Sequence, residues 1–174
     1  MDTRQLAKAL LYTDISVGGI YPVDKLPPVW PKPCAIIANI DNHNQPGTHW
    51  IALFIDHFGY GIFFDSFGQR PTDPRFTYVL RRNTVFYEYN NKRLQDFSSN
   101  VCGCYCIVAL HHFSTGGNLS SFQRLFGENT KLNDNIIMTM YKKIIQKKNI
   151  LKNRHFNFLR GSGATVQHSY CKFY

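Results

Sequence analysis

Apolar residues gather in short blocks along the first half of the chain, each closed by polar turn residues. CAIIANID at 34–41 is such a block and predicts a buried strand. HWIALFID at 49–56 and YGIFFDSF at 60–67 are rich in aromatic and branched residues and predict two more strands. Only residues 57–59 separate them, ending in Gly59, so an antiparallel hairpin is expected. TVFYEYN at 84–90 predicts a further strand.

Elsewhere the apolar spacing is helical. Over 132–151, Ile136, Met140 and Ile144 fall on one stripe, with Ile137, Tyr141 and Ile145 beside it. DPRFTYVLRRN at 73–83 opens with Asp-Pro, which suits a helix with Pro in its first turn. VCGCYCIVALHHF at 101–113 is too long and too apolar for a typical strand. It predicts a buried helix capped by Ser99 or Asn100. LSSFQRLFG at 119–127 predicts a short helix ended by Gly127. MDTRQLAKALLYTD at the start reads as a short amphipathic helix, because it lacks the apolar stretch and cleavage site of a secretion signal. YPVDKLPPVWPKP at 21–33 reads as a proline-rich loop. The expected fold is α+β in a single domain, 1–174: a small antiparallel-rich mixed sheet, a central buried helix and outer helices.

Composition narrows the choices. A chain of 174 residues can bury its own core, and 44% hydrophobic against 18% charged residues excludes wholesale disorder. No apolar run approaches the roughly 18 residues that span a bilayer, so no membrane partner is expected. The net charge of +9 points to a polyanion partner, most commonly nucleic acid. The charge is concentrated at 131–160, where Lys131, Lys142, Lys143, Lys147, Lys148, Lys152, Arg154 and Arg160 face one acid, Asp134. A solvated helix face is the plainer account of that run. The five cysteines are odd in number, and three are spaced two apart. That is a poor disulfide framework, so free thiols in a reducing compartment, rather than secretion, are expected.

The cysteine cluster carries the candidate chemistry. The C-x-C-x-C spacing of Cys102, Cys104 and Cys106 departs from zinc-site spacing, and no metal is expected. Cys104 and Cys106 suit a core packing role. Cys102 differs, because it falls at the predicted helix N-terminus, where free N–H groups and the helix dipole favour a thiolate. Gly103 beside it leaves the sulfur open to approach, and the polar DFSSN before it predicts a partly exposed site. Such a nucleophile needs a base and a group to orient that base. His49 starts one strand of the predicted hairpin and Asp65 ends the other, so they are near cross-strand neighbours. Backbone N–H groups at the helix start, and the Gln95 amide on the approach loop, are candidate oxyanion donors.

Together GTHWIALFID, IFFDSFG and LQDFSSNVCGCYC resemble the adenovirus maturation proteases, the adenain family, and the wider cysteine-protease clan that includes the SUMO-specific proteases. His49-Trp50, Asp65 with Ser66-Phe67-Gly68, Gln95, and Cys102-Gly103 match that pattern in order and spacing. The ending GSGATVQHSYCKFY is also similar to the family's small-residue, cysteine-containing tail. The resemblance implies an endopeptidase with Cys102 as nucleophile, His49 as base and acid, Asp65 as orienter and Gln95 as oxyanion donor. It implies viral precursor and capsid proteins as substrates, cut at Gly-containing sites during maturation in the virion and infected cell. DNA and a small peptide activator are the cofactors it implies. Two departures stand out. The acid is Asp65, as in the SUMO-specific branch, where adenains usually carry Glu. The stretch 83–94 also lacks the cysteine that tethers the adenain activator. A deSUMOylase or deubiquitinase of the same clan is one rival reading. A non-enzymatic, basic, nucleic-acid-binding capsid component is another.

Overall fold

The structure is a computed structural model that describes residues 1–11 and 17–161, with side chains for 1–11 and 18–146. The tail at 162–174, with Cys171, and the basic side chains beyond residue 146 lie outside the described part. Five strands form one sheet in sequence order: β1 (Val17–Pro22), β2 (Cys34–Asn39), β3 (Trp50–Ile55), β4 (Tyr60–Phe64) and β5 (Phe86–Tyr89). The central pairs β2–β3 and β3–β4 are antiparallel, and the two edge pairs are parallel. The fold is therefore α+β with a mixed sheet, as the apolar pattern predicts. β1 is the strand the pattern does not reveal, since 21–33 reads there as loop. It carries two glycines and ends in Pro22, and it occupies an edge.

Both faces of the sheet are covered, which explains the nearly continuous apolar runs. Alternate residues enter two separate cores. Ala35, Ile37, Ala52, Ile62 and Phe64 pack against α1 (Thr3–Leu10) and α3 (Cys102–Ser114). Cys34, Ile36, Ile51, Leu53 and Phe63 face α2 (Pro74–Asn83) and Trp30. The helix α2 starts as the sequence predicts, with Asp73 capping the Arg75 N–H and Pro74 in the first turn.

Burial is almost complete along α3, where ten of thirteen residues are buried, so it shows no polar stripe. Its cap departs from expectation. Neither Ser99 nor Asn100 caps it; Val101 is the N-cap residue and no side chain bonds the first N–H groups. Ser99 Oγ donates instead to the Asp96 carbonyl, tightening the approach turn. The next helix, α4 (Leu119–Gln123), is shorter than the expected 119–127, and α5 (Thr130–Gly161) is longer than the expected 132–151.

Candidate active site

His49 is the residue immediately before β3, and its carbonyl accepts from the Ile40 N–H, so the β2–β3 ladder fixes its backbone. Asp65 immediately follows β4. Ala52 pairs with Phe64, and continuing that register brings His49 level with Phe67 and diagonal to Asp65. The side chains follow: His49 Nε2 lies 2.8 Å from Asp65 Oδ1, and Phe67 stacks on the imidazole at 4.7 Å. The His49 ring also shares a side-chain hydrogen bond with Cys102. The structure thus brings Cys102, His49 and Asp65 into one line.

The acid is itself held from behind. Asn90 Oδ1 accepts from the Asp65 N–H at 2.9 Å, and Asn90 Nδ2 donates to the Asp65 carbonyl. Asp65 Oδ1 also accepts from the Phe67 N–H. Gly68 closes this turn at φ 74°, where a Cβ would meet the backbone of Lys92 and Arg93.

All three side chains are buried: Cys102 is 7% exposed, His49 8% and Asp65 4%. The partly open site expected from the polar DFSSN stretch is therefore more enclosed than the sequence suggests. Burial opposes charge on the ring, yet the Asp65 hydrogen bond and then the Cys102 hydrogen bond raise His49 from 6.5 to about 9. Burial likewise opposes the thiolate. The His49 hydrogen bond, the Trp50 N–H, the His49 charge and the Gly103 N–H outweigh it and hold Cys102 below the ordinary thiol range. Each partner stabilises the charged form of the other. Its neighbours behave as packing groups, since burial pushes Cys104 up to about 11 and Cys106 well above its usual value.

Gly103 has a packing use beside the one the sequence suggests. A Cβ there would lie 3.1 Å from Leu6 and 3.2 Å from Met1, so its small size lets α1 lie against α3. Gln95 is 1% exposed, and its amide is engaged on both sides. Its Oε1 accepts from Ser66 Oγ at 2.6 Å, while Nε2 donates to Ser99 O at 2.9 Å and Ser99 Oγ at 3.1 Å. It thereby ties the turn after the acid to the turn before the nucleophile.

The clamp on the Gln95 loop is invisible in sequence. Tyr105 Oη lies 3.1 Å from both the Leu94 carbonyl and Asp134 Oδ1. Asn133 Nδ2 donates to the same carbonyl, and the Asp96 N–H donates to Asp134 Oδ2. Two polar residues of α5 thus face inward among apolar neighbours, an exception to its stripe. Asn90 and these two residues are the neighbours that sequence reasoning misses, and Phe67, quoted there within the motif after Asp65, gains its role only from the stack on His49.

The arrangement can generate a thiolate, retain the transferred proton on an imidazolium and surround the sulfur with N–H donors. No family model matches the chain. Over 103 residues it is 34% identical to a protein of Acanthamoeba polyphaga mimivirus that carries the name of a thiol protease. That alignment covers 52% of this chain, which spans about a third, 34%, of the relative's length. Among solved structures, an ASFV protease is similar at 22% identity and a TM-score of 0.45, over 66% of this chain and 44% of that one. The central domain of an uncharacterized Legionella pneumophila protein is similar at 11% identity and 0.46, over 85% and 98%. At such values neither structural likeness bears on fold or activity.

Proposed function

We propose that the chain is a cysteine endopeptidase of the adenain and SUMO-protease type, acting on viral precursor proteins at Gly-containing sites during virion maturation. The observation that carries this reading is the buried Asp65–His49–Cys102 line at the start of α3. The similarity to a mimivirus protein with a thiol protease's name supports it.

In this reading the Cys102 thiolate attacks the scissile carbonyl, and the imidazolium of His49 gives its proton to the leaving amine. The neutral ring then takes a proton from water, which attacks the thioester and releases the acid. Asp65 fixes the ring and favours its charged form throughout. Backbone N–H groups at the open end of α3 face the developing oxyanion. Gln95 Nε2 joins them by releasing its longer bond, to Ser99 Oγ, while its bond to the Ser99 carbonyl keeps it in place.

The test is cleavage of candidate capsid precursors by wild type and Cys102→Ala, with and without DNA. Cleavage at a Gly-containing site that disappears in the variant is expected. Cleavage restricted to ubiquitin-like conjugates would assign the chain to the deconjugating branch, and the absence of any cleavage would leave the nucleic-acid-binding reading. We also propose duplex DNA as a partner through the basic 131–160 segment, whose described cations include Lys131, Lys142 and Lys143. Affinity for random-sequence duplex must then fall steeply between two salt concentrations. A peptide activator, if one acts, binds without a disulfide in the cysteine-free 83–94 stretch. Action in the virion and infected cell follows from the same reading.

A further inference from the structure

A second polar feature lies one residue from the catalytic line. β2 ends at Asn39, which pairs with Trp50 across the sheet. Asn39 is 4% exposed, and its Oδ1 accepts from the Asp41 N–H at 2.9 Å, which fixes the amide's orientation. The opposite atom, Nδ2, is buried and has no hydrogen-bond partner among the described residues. A buried amide donor without an acceptor costs about 1–3 kcal/mol, so the site needs a reason.

The surroundings supply one. Asn39, Gly47, Trp50, Tyr21 and Asp41 line a cavity of about 320 Å³. A Cβ on Gly47 would lie 3.0 Å from Asn39 Nδ2, so any side chain at 47 would crowd the donor. Gly47 also has φ 82°, which favours glycine there. Trp50 joins this cavity to the reaction centre: the residue lines the cavity, its indole N–H donates to the Met1 carbonyl there, and its backbone N–H is bonded to the Cys102 sulfur.

We propose that this cavity is a substrate subsite in which Asn39 Nδ2 donates to the carboxamide oxygen of a substrate Gln or Asn side chain. The proposal rests on the peptidase reading for its substrate. The donor calls for an oxygen acceptor. Two carboxylates, Asp2 and Asp41, line the same cavity against the imidazole of His43, which is tied to Asp24 at 2.6 Å. That lining disfavours a Glu or Asp side chain and offers the carboxamide NH₂ an acceptor. Apolar walls from Trp50 and Tyr21 cover the side-chain stem. Because Trp50 touches both cavity and sulfur, the recognised residue sits within a few positions of the scissile bond.

The experiment uses positional-scanning peptide pools. Binding is read on the full Cys102→Ala chain through the Asn39 side-chain NH₂ resonances and, in the variant at residue 39, through the backbone N–H of Gly47; cleavage is read separately on wild type. Pools with Gln or Asn fixed at one position must shift those resonances, while Glu, Asp and Leu pools at that position must not. Asn39→Asp keeps the acceptor for the Asp41 N–H and removes the donor. It must weaken Gln-pool binding at least tenfold and leave Leu pools unchanged. Gly47→Ala, whose Cβ would press on Nδ2 at 3.0 Å and meet Oδ1 only at an ordinary 3.7 Å, must do the same. Resonances that ignore every pool, or Glu pools that match Gln pools, overturn the subsite. Cleavage with no carboxamide preference overturns the subsite alone. Carboxamide-selective binding without any cleavage supports the subsite and overturns the peptidase reading.

Discussion

Replacing Asp65 by Asn removes one charge and leaves the shape of the turn. The backbone of residue 65 stays clasped by Asn90, and an amide oxygen can still accept from the Phe67 N–H. What changes is the ring of His49, raised from 6.5 to about 9 with Asp65 as the first of the raising influences. That rise corresponds to about 3 kcal/mol of preference for the charged imidazole. Burial acts the other way, so without the carboxylate its penalty is felt in full. A fall of at least about one unit in the His49 midpoint is expected, and with it less Cys102 thiolate at neutral pH, because the sulfur loses part of the His49 charge that favours it. The sign is fixed: loss of the acid moves the His49 titration down in pH and the onset of the thiolate up. Ring carbon NMR shifts of His49 against pH give the first quantity. The iodoacetamide rate at Cys102, located by mass spectrometry, gives the second. An unmoved His49 midpoint together with an unchanged alkylation rate would refute the coupling.

Other outcomes follow from the same geometry. Asn90→Ala strips partners from the buried N–H and carbonyl of Asp65. It should cost about 2–4 kcal/mol, roughly 5–15 °C in Tm, and slow Cys102 alkylation as well. Phe67→Ala removes the ring stacked on His49, a contact worth about 0.5–1.5 kcal/mol. Peptide hydrolysis should lose roughly 2- to 10-fold in kcat with KM nearly constant, measured against a Phe67→Tyr variant that retains the stack. Cys106→Ala should leave hydrolysis almost unchanged and lower thermal stability by about 1 kcal/mol, because that thiol is a buried packing group.

Much of this site is legible in the sequence because strands are periodic. The short 57–59 link fixes the hairpin, and its register puts His49 beside Asp65 without any tertiary information. The apolar length of 101–113 identifies α3 as a buried helix, and position alone places Cys102 at its N-terminus. β1 escapes because an edge strand with Gly18 and Gly19 has little apolar signal. Gly18 is nonetheless needed, since a Cβ there would collide with the sulfur of Cys34. The cap of α3 escapes because Ser99 competes for a local bond to Asp96. Asn90, Asn133 and Asp134 escape for a more general reason. Each is a polar residue whose partners lie far away in the chain, and local pattern carries no information about them.

The most direct measurement is rapid acid quenching of wild-type protein mixed with a cleavable precursor, followed by peptide mass mapping. A thioester joining the substrate's N-terminal fragment to the Cys102 peptide must appear in the first turnovers, and it must be absent in His49→Ala. Turnover by the Cys102→Ala protein, or an adduct on any other residue, would contradict the account.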